Sequence, residues 1–161
     1  MSADQRRSIN ASRATVLALV VLGLFWSFWG LLGVREVFRW VGAGPEFTAF
    51  VLADLEWIAL FTGFGVVHLM AAFSLRAGMG WATVLAGVLA LLGLLVLGSA
   101  ARSLIMMTVA AEGHFAIDTL SYWRFHGWQV VGIFGLLILA DTVILVSVAR
   151  SRWRSTNTEA A

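Results

Sequence analysis

The sequence predicts an all-α integral membrane protein: a four-transmembrane-helix up-down bundle with an outer interfacial helical segment. Three observations predict it. Ala14–Val34 runs without a charge, and three comparable apolar stretches follow it; a helix needs roughly 20 residues to cross ~30 Å of hydrocarbon. Sixty per cent of the 161 residues are apolar and only 12% charged, where a soluble domain carries about a quarter charged residues. The mean hydropathy is +0.89. Helix is the economical form for all four stretches, because it satisfies every backbone group within the segment. One domain is expected at this length.

The first span is Ala14–Val34, behind a short N-terminal tail (residues 1–13) that holds Arg6, Arg7 and Arg13. The basic start resembles a signal peptide. The apolar region is too long for one, however, it contains Phe25-Trp-Ser-Phe-Trp29, and no small-residue cleavage site follows. It reads as a retained helix. Arg35–Val41 extends it along the interface, and the chain's single proline, Pro45, breaks the path after Val41-Gly-Ala-Gly.

The second span is placed at about 57–75, continuing outward as a helix from Phe47. The third is about 81–101 and the fourth about 128–149, with a C-terminal tail at 150–161. Arg76–Gly80 is a tight turn, whereas 102–127 is a long outer connection. Its Leu104–Ala111 stretch is too apolar for a free loop, so it either prolongs the third helix or lies along the interface. Ala82, Ala86 and Ala90 form a small-residue ladder on the third helix, and Gly63 and Gly65 thin the second. Positions of this kind let helices approach closely in lipid.

Orientation follows from arginine, which supplies all eleven basic residues. Arg6, Arg7, Arg13, Arg76, Arg150, Arg152 and Arg154 fall on the side of the termini; Arg35, Arg39, Arg102 and Arg124 fall on the other. That bias predicts both termini in the cytoplasm, and the arginine-rich composition suggests a bacterial inner membrane. Trp29, Trp57, Trp81, Trp123, Trp128 and Trp153 fall at the expected interfaces. The arginines form no patch, which argues against a nucleic-acid partner despite the +2 net charge. There is no cysteine, which removes disulfides, thiolate metal sites and thiol nucleophiles together.

Two ionisable residues fall inside the spans. His68 lies roughly 10 Å from the inner end of the second span, and Asp141 roughly 12 Å from that of the fourth, at 1.5 Å per residue. Such residues are costly in hydrocarbon and usually face protein or water, often paired. At matching depth the two could pair, either to pin the two helices or to transfer protons or hold a ligand; the alternative is no contact, with Asp141 protonated or facing another subunit.

A second polar group gathers at the outer end. Asp54 and Glu56 top the second span, Arg102 ends the third, and His114, Asp118 and His126 follow in the outer connection. Asp54 shares a helical stripe with Phe61, Gly65 and His68, while Glu56 points away from it. A solvated salt-bridge network is the simpler reading, with Arg102 neutralising a carboxylate. Metal or haem ligation by the outer histidines is the sharper one, since His114 and Asp118 share a helix face at i,i+4. No zinc motif accompanies them, so metal and cofactor are left open. Tyr122, Trp123 and Arg124 are expected to dock a partner, because such side chains join large area to a polar handle.

The stretch from Asp54 to Gly93 resembles the DoxX-like four-helix membrane proteins. It does so through Leu55-Glu56-Trp57, Gly63, Gly65, the Arg76 turn and the alanine-rich helix that follows. The resemblance covers about a quarter of the chain and implies a four-helix membrane fold; no activity is carried across from it.

Three functions compete. The first is a non-catalytic accessory or structural subunit of a larger membrane complex. A small oligomeric transporter or proton-linked channel using His68 and Asp141 is the second. The third is a redox or cofactor-binding membrane subunit using the outer histidines. The sequence carries no nucleophile elbow, P-loop or dinucleotide fingerprint that would point to an enzyme. Its expected partners are the lipid bilayer and either other membrane subunits or further copies of the chain.

Overall fold

The computed structural model describes the backbone of residues 3–110 and 114–159, and the side chains of 13–45, 47–102, 127 and 129–151. Its elements are α1 (Ala3–Val41), a 3-10 turn (Pro45–Phe47), α2 (Thr48–Arg76), α3 (Trp81–Ala110) and α4 (His114–Glu159). Four stretches are long and apolar enough to cross a membrane: Arg13–Val41, Thr48–Arg76, Trp81–Arg102 and Gln129–Ser151.

The expected spans sit inside these helices, and the arginine-rich Arg35–Val41 segment continues α1 as expected. The long connection differs. Residues 102–110 continue α3, and residues 114–127 already belong to α4. Of the two expectations for the apolar stretch after 104, prolongation of the third helix is the one seen through Ala110, while the remainder of the connection from His114 is the start of α4 instead of a separate segment. No proline interrupts it, and an apolar run without a breaker has no reason to leave the helix it continues.

Two connections are built by local backbone chemistry. After α2, Gly78 takes φ +77°. Its N–H bonds the Leu75 carbonyl at 3.0 Å, and the Met79 N–H bonds the Ser74 carbonyl at 3.0 Å. This is a Schellman closure, which satisfies carbonyls left open at the helix end. Before α2, Gly44 at φ 130° precedes Pro45, and the Thr48 hydroxyl donates to the Pro45 carbonyl at 2.6 Å.

Each helix packs on two others: α1 on α2 and α4, and α3 on α2 and α4. The closest approach is between α1 and α2. A Cβ built on Gly65 would lie 2.5 Å from the Ser27 backbone nitrogen, and one on Gly30 would lie 2.6 Å from that of Thr62. Gly23 meets Leu69, and Gly33 meets Ile58, so the two helices run antiparallel. The pair α3–α4 is antiparallel as well, with Gly87 against Val148 and Gly93 against Asp141.

The common core holds Leu19, Leu22 and Trp26 from α1, Ala71 and Ala72 from α2, Leu89 and Leu97 from α3, and Leu137 and Ile144 from α4. The Ala82, Ala86 and Ala90 ladder is fully buried. Of the two glycines expected to thin α2, Gly65 is the one at a helix contact; Gly63 has nothing within 4 Å.

Candidate functional site

α2 and α4 each bring one ionisable side chain into the interior. His68 and Asp141 are both 0% exposed. His68 falls on the inward stripe of α2 that also carries Gly65, Ala71 and Ala72. Its Nδ1–H donates to the Phe64 carbonyl at 2.8 Å, and the Phe64 ring stands edge-on to the imidazole at 4.5 Å. With Nδ1 donating, the neutral ring presents its lone pair at Nε2. That atom has no hydrogen-bond partner.

Asp141 sits against Gly93 of α3, where a Cβ would lie 2.7 Å from Oδ2. Neither carboxylate oxygen has a partner. A buried carboxyl left this way is tolerable only as the neutral acid or with a bound companion.

His68 and Asp141 do not bond each other, since Nε2 and both carboxylate oxygens are unpartnered. The reason is axial. His68 is roughly 12 Å along α2 from Arg76, while Gly93, level with Asp141, is roughly 18 Å along α3 from Trp81. Sequence counting placed the two at matching depth because it measured Asp141 from Ala149. Val148 in fact packs on Gly87, already well inside α3. Asp141 therefore lies about one helical turn further from the α2–α3 turn than His68.

Three further interior atoms on α1 and α2 lack partners: Trp26 Nε1, Ser27 Oγ and Thr62 Oγ1. Trp26 is 3% exposed and is wedged between Phe61 and Phe64, both with ring centroids at 5.6 Å. The sequence reading missed this α1 face. Its signal was present, since Gly23, Ser27, Gly30 and Gly33 recur at i, i+4, i+7 and i+10, one stripe of a helix.

The outer polar group is only partly described. Asp54 is half-buried with Oδ2 unpartnered, and Glu56 is exposed, matching their expected divergence on α2. Arg102 is exposed and makes no ion pair with either carboxylate, so the expected neutralisation is not formed. Among the described residues the ion pair that is formed joins Arg39 to Glu36 at 3.3 Å, with the Arg39 guanidinium 5.3 Å from the Trp40 ring centroid. The side chains of His114, Asp118, Tyr122, Trp123, Arg124 and His126 lie outside the described residues. Among the described residues no group of three or more His, Cys, Asp or Glu side chains is arranged to hold a metal ion.

Comparison of the chain with protein-family models, with curated proteins and with solved structures finds no match. The resemblance to DoxX-like proteins is not supported by a family match.

Proposed function

We propose that this chain is a multi-pass protein of a bacterial inner membrane, an up-down four-helix bundle with both termini cytoplasmic, and that it moves protons or a proton-coupled solute through its interior. One observation carries the reading: among the described residues the fully buried titratable side chains are His68 and Asp141, and each offers unpartnered atoms to the interior. Ionisable residues inside membrane helices are expensive, and they commonly mark ion or proton pathways.

In this reading Asp141 holds a proton as the neutral acid. Because the two groups lie about one helical turn apart, a bridging water or hydroxyl carries that proton to the lone pair of His68 Nε2. The imidazolium then releases it, and Asp141 is reprotonated from the opposite side. Gly93 leaves the carboxyl free against α3, and the Phe64 carbonyl fixes the histidine tautomer.

The accessory-subunit and cofactor readings draw on no arrangement among the described residues and enter as other outcomes of the test. That test uses the purified full chain in proteoliposomes containing a pH-sensitive dye, with a potassium diffusion potential imposed. Acidification or alkalinisation above protein-free vesicles is expected, and Asp141→Asn is expected to lose most of it. Absent flux from folded wild-type protein overturns the reading. Partners retained in mild detergent would then favour the accessory subunit, and visible absorbance a cofactor-binding one.

The orientation has its own test. The arginine bias places the C-terminal side inside, so a reporter fused at Ala161 is expected in the cytoplasm and one near Gly113 outside. A periplasmic reporter at Ala161 overturns it.

A further inference from the structure

The unpartnered interior atoms are not distributed evenly along the helices. From the N-terminal end of α2 inward come Asp54 Oδ2 and Thr62 Oγ1, then Trp26 Nε1, Ser27 Oγ and the Asp141 carboxyl at similar depth, and last His68 Nε2. Asp54 lies roughly 33 Å along α2 from Arg76, Thr62 roughly 21 Å and His68 roughly 12 Å. Ser27 packs on Gly65 and Thr62 on Gly30, so both hydroxyls lie on the α1–α2 seam between Asp54 and His68.

The other half of the interior has a different chemistry. Between His68 and the α2–α3 turn the buried side chains include Leu19, Leu22, Ala72 and Ala86. Thr15 is the buried polar residue there, and it is already engaged. Buried polar atoms in native proteins almost always have a partner, whether protein or ordered water. One half of the interior therefore calls for water, and the other excludes it.

We infer that His68 and Asp141 are reached by water from the α2 N-terminal end, along a polar seam formed by Asp54, Thr62, Ser27 and Trp26, and are sealed from the α2–α3 turn by aliphatic packing. The inference rests on the proton-linked reading for its purpose and on the placement of the polar atoms for its geometry. Protons load onto Asp141 through this seam, and the aliphatic half is the barrier that conformational change has to open before His68 releases them toward the α2–α3 turn. Among the described residues the charged or titratable groups facing the seam are Asp54, His68 and Asp141, and the buried residues of α1 and α3 add none.

The natural chain contains no cysteine, so single cysteines report without background. The thiolate, which forms only where water reaches, attacks a methanethiosulfonate reagent, forming a mixed disulfide and expelling methanesulfinate. Ser27→Cys and Thr62→Cys, both close in size to the native residues, are placed in the seam; Leu22→Cys and Ala72→Cys are placed in the aliphatic half. Each full-length variant is treated in intact membranes with a small reagent, then labelled again after unfolding in detergent to show that the thiol is present and reactive.

Expected is labelling of Ser27→Cys and Thr62→Cys in the folded protein at least tenfold faster than of Leu22→Cys and Ala72→Cys. An impermeant reagent is expected to reach the first pair only from the α2 N-terminal side. Equal rates in both halves, faster labelling of the aliphatic half, or no labelling of the seam overturns the inference. Proteoliposome flux is measured separately, so a dry seam with intact flux fails this inference alone, and a wet seam without flux fails the proton-linked reading alone.

Discussion

Gly93 and Asp141 meet across the α3–α4 contact with no room between them: a Cβ on residue 93 would lie 2.7 Å from Oδ2 and 3.1 Å from the carboxyl carbon. The carboxyl is 0% exposed, so it has no solvent to move into. The missing side chain of one residue is the space that holds the other.

Gly93→Ala is therefore expected to lower stability by about 1–3 kcal/mol, the range for overpacking a filled interior. Adding Asp141→Ala to it is expected to recover part of the loss, because the second change removes the atoms that clash. Thermal melting in detergent of the two single variants and the double variant gives the coupling. Additive losses would show that the contact is not shared.

Asp141→Asn should be tolerated better than Asp141→Lys. Asn keeps the size and stays neutral, whereas Lys places a cation and a longer stem in a position without an opposite charge. The difference is read from folded yield and melting temperature in the same detergent. Equal behaviour of the two variants would mean that this side chain faces lipid headgroups or water.

The two glycines near the middle of α2 are expected to behave differently. A Cβ on Gly65 meets Ser27 and Gly23 backbone atoms at 2.5 and 2.6 Å, and backbone cannot rotate away, so Gly65→Ala must push α1 and α2 apart. A loss of about 2 kcal/mol or more is expected, as for other overpacked contacts. Gly63 has nothing within 4 Å, so Gly63→Ala is expected to be neutral or stabilising by up to about 1 kcal/mol through helix propensity. Matched melts of both variants decide it; equal losses would contradict the α1–α2 seam.

The α2–α3 turn offers a backbone test. Gly78 sits at φ +77° with open space around it, so Gly78→Ala introduces no clash and acts through the left-handed conformation alone, at about 1–2 kcal/mol. Gly80 also has open space, and its φ is not positive. Gly80→Ala is expected to change the melting temperature little.

The helices were readable from the sequence because their signal is local. Apolar length sets each span, Pro45 and the glycines around it break the chain after α1, and Arg76–Gly80 closes α2. The partition of residues 102–127 between α3 and α4 was harder. An amphipathic stretch beside a membrane carries the same composition whether it lies flat or continues a helix.

The site was legible in kind but not in register. His68 and Asp141 stand out as ionisable residues in apolar runs, and both are buried as that implies. Their axial offset depends on Val148 packing against Gly87, a relation between two helices that no count along one helix contains. Gly23, Ser27 and Gly30 were hidden differently, because among so many apolar residues small side chains carry contrast only when their common helical face is plotted.

The turn at Gly78 has a consequence for biogenesis. In the proposed arrangement so short a link leaves α2 and α3 no choice but to enter the bilayer as one hairpin, since neither can settle while the other waits at the surface. Until then α1 stands alone with the face of Gly23, Ser27 and Gly30 bare. The newly made protein thus passes through a stage in which its closest helix contact is advertised to any passing helix, and the interval between synthesis of Val41 and of Gly78 sets how long a wrong partner can bind there.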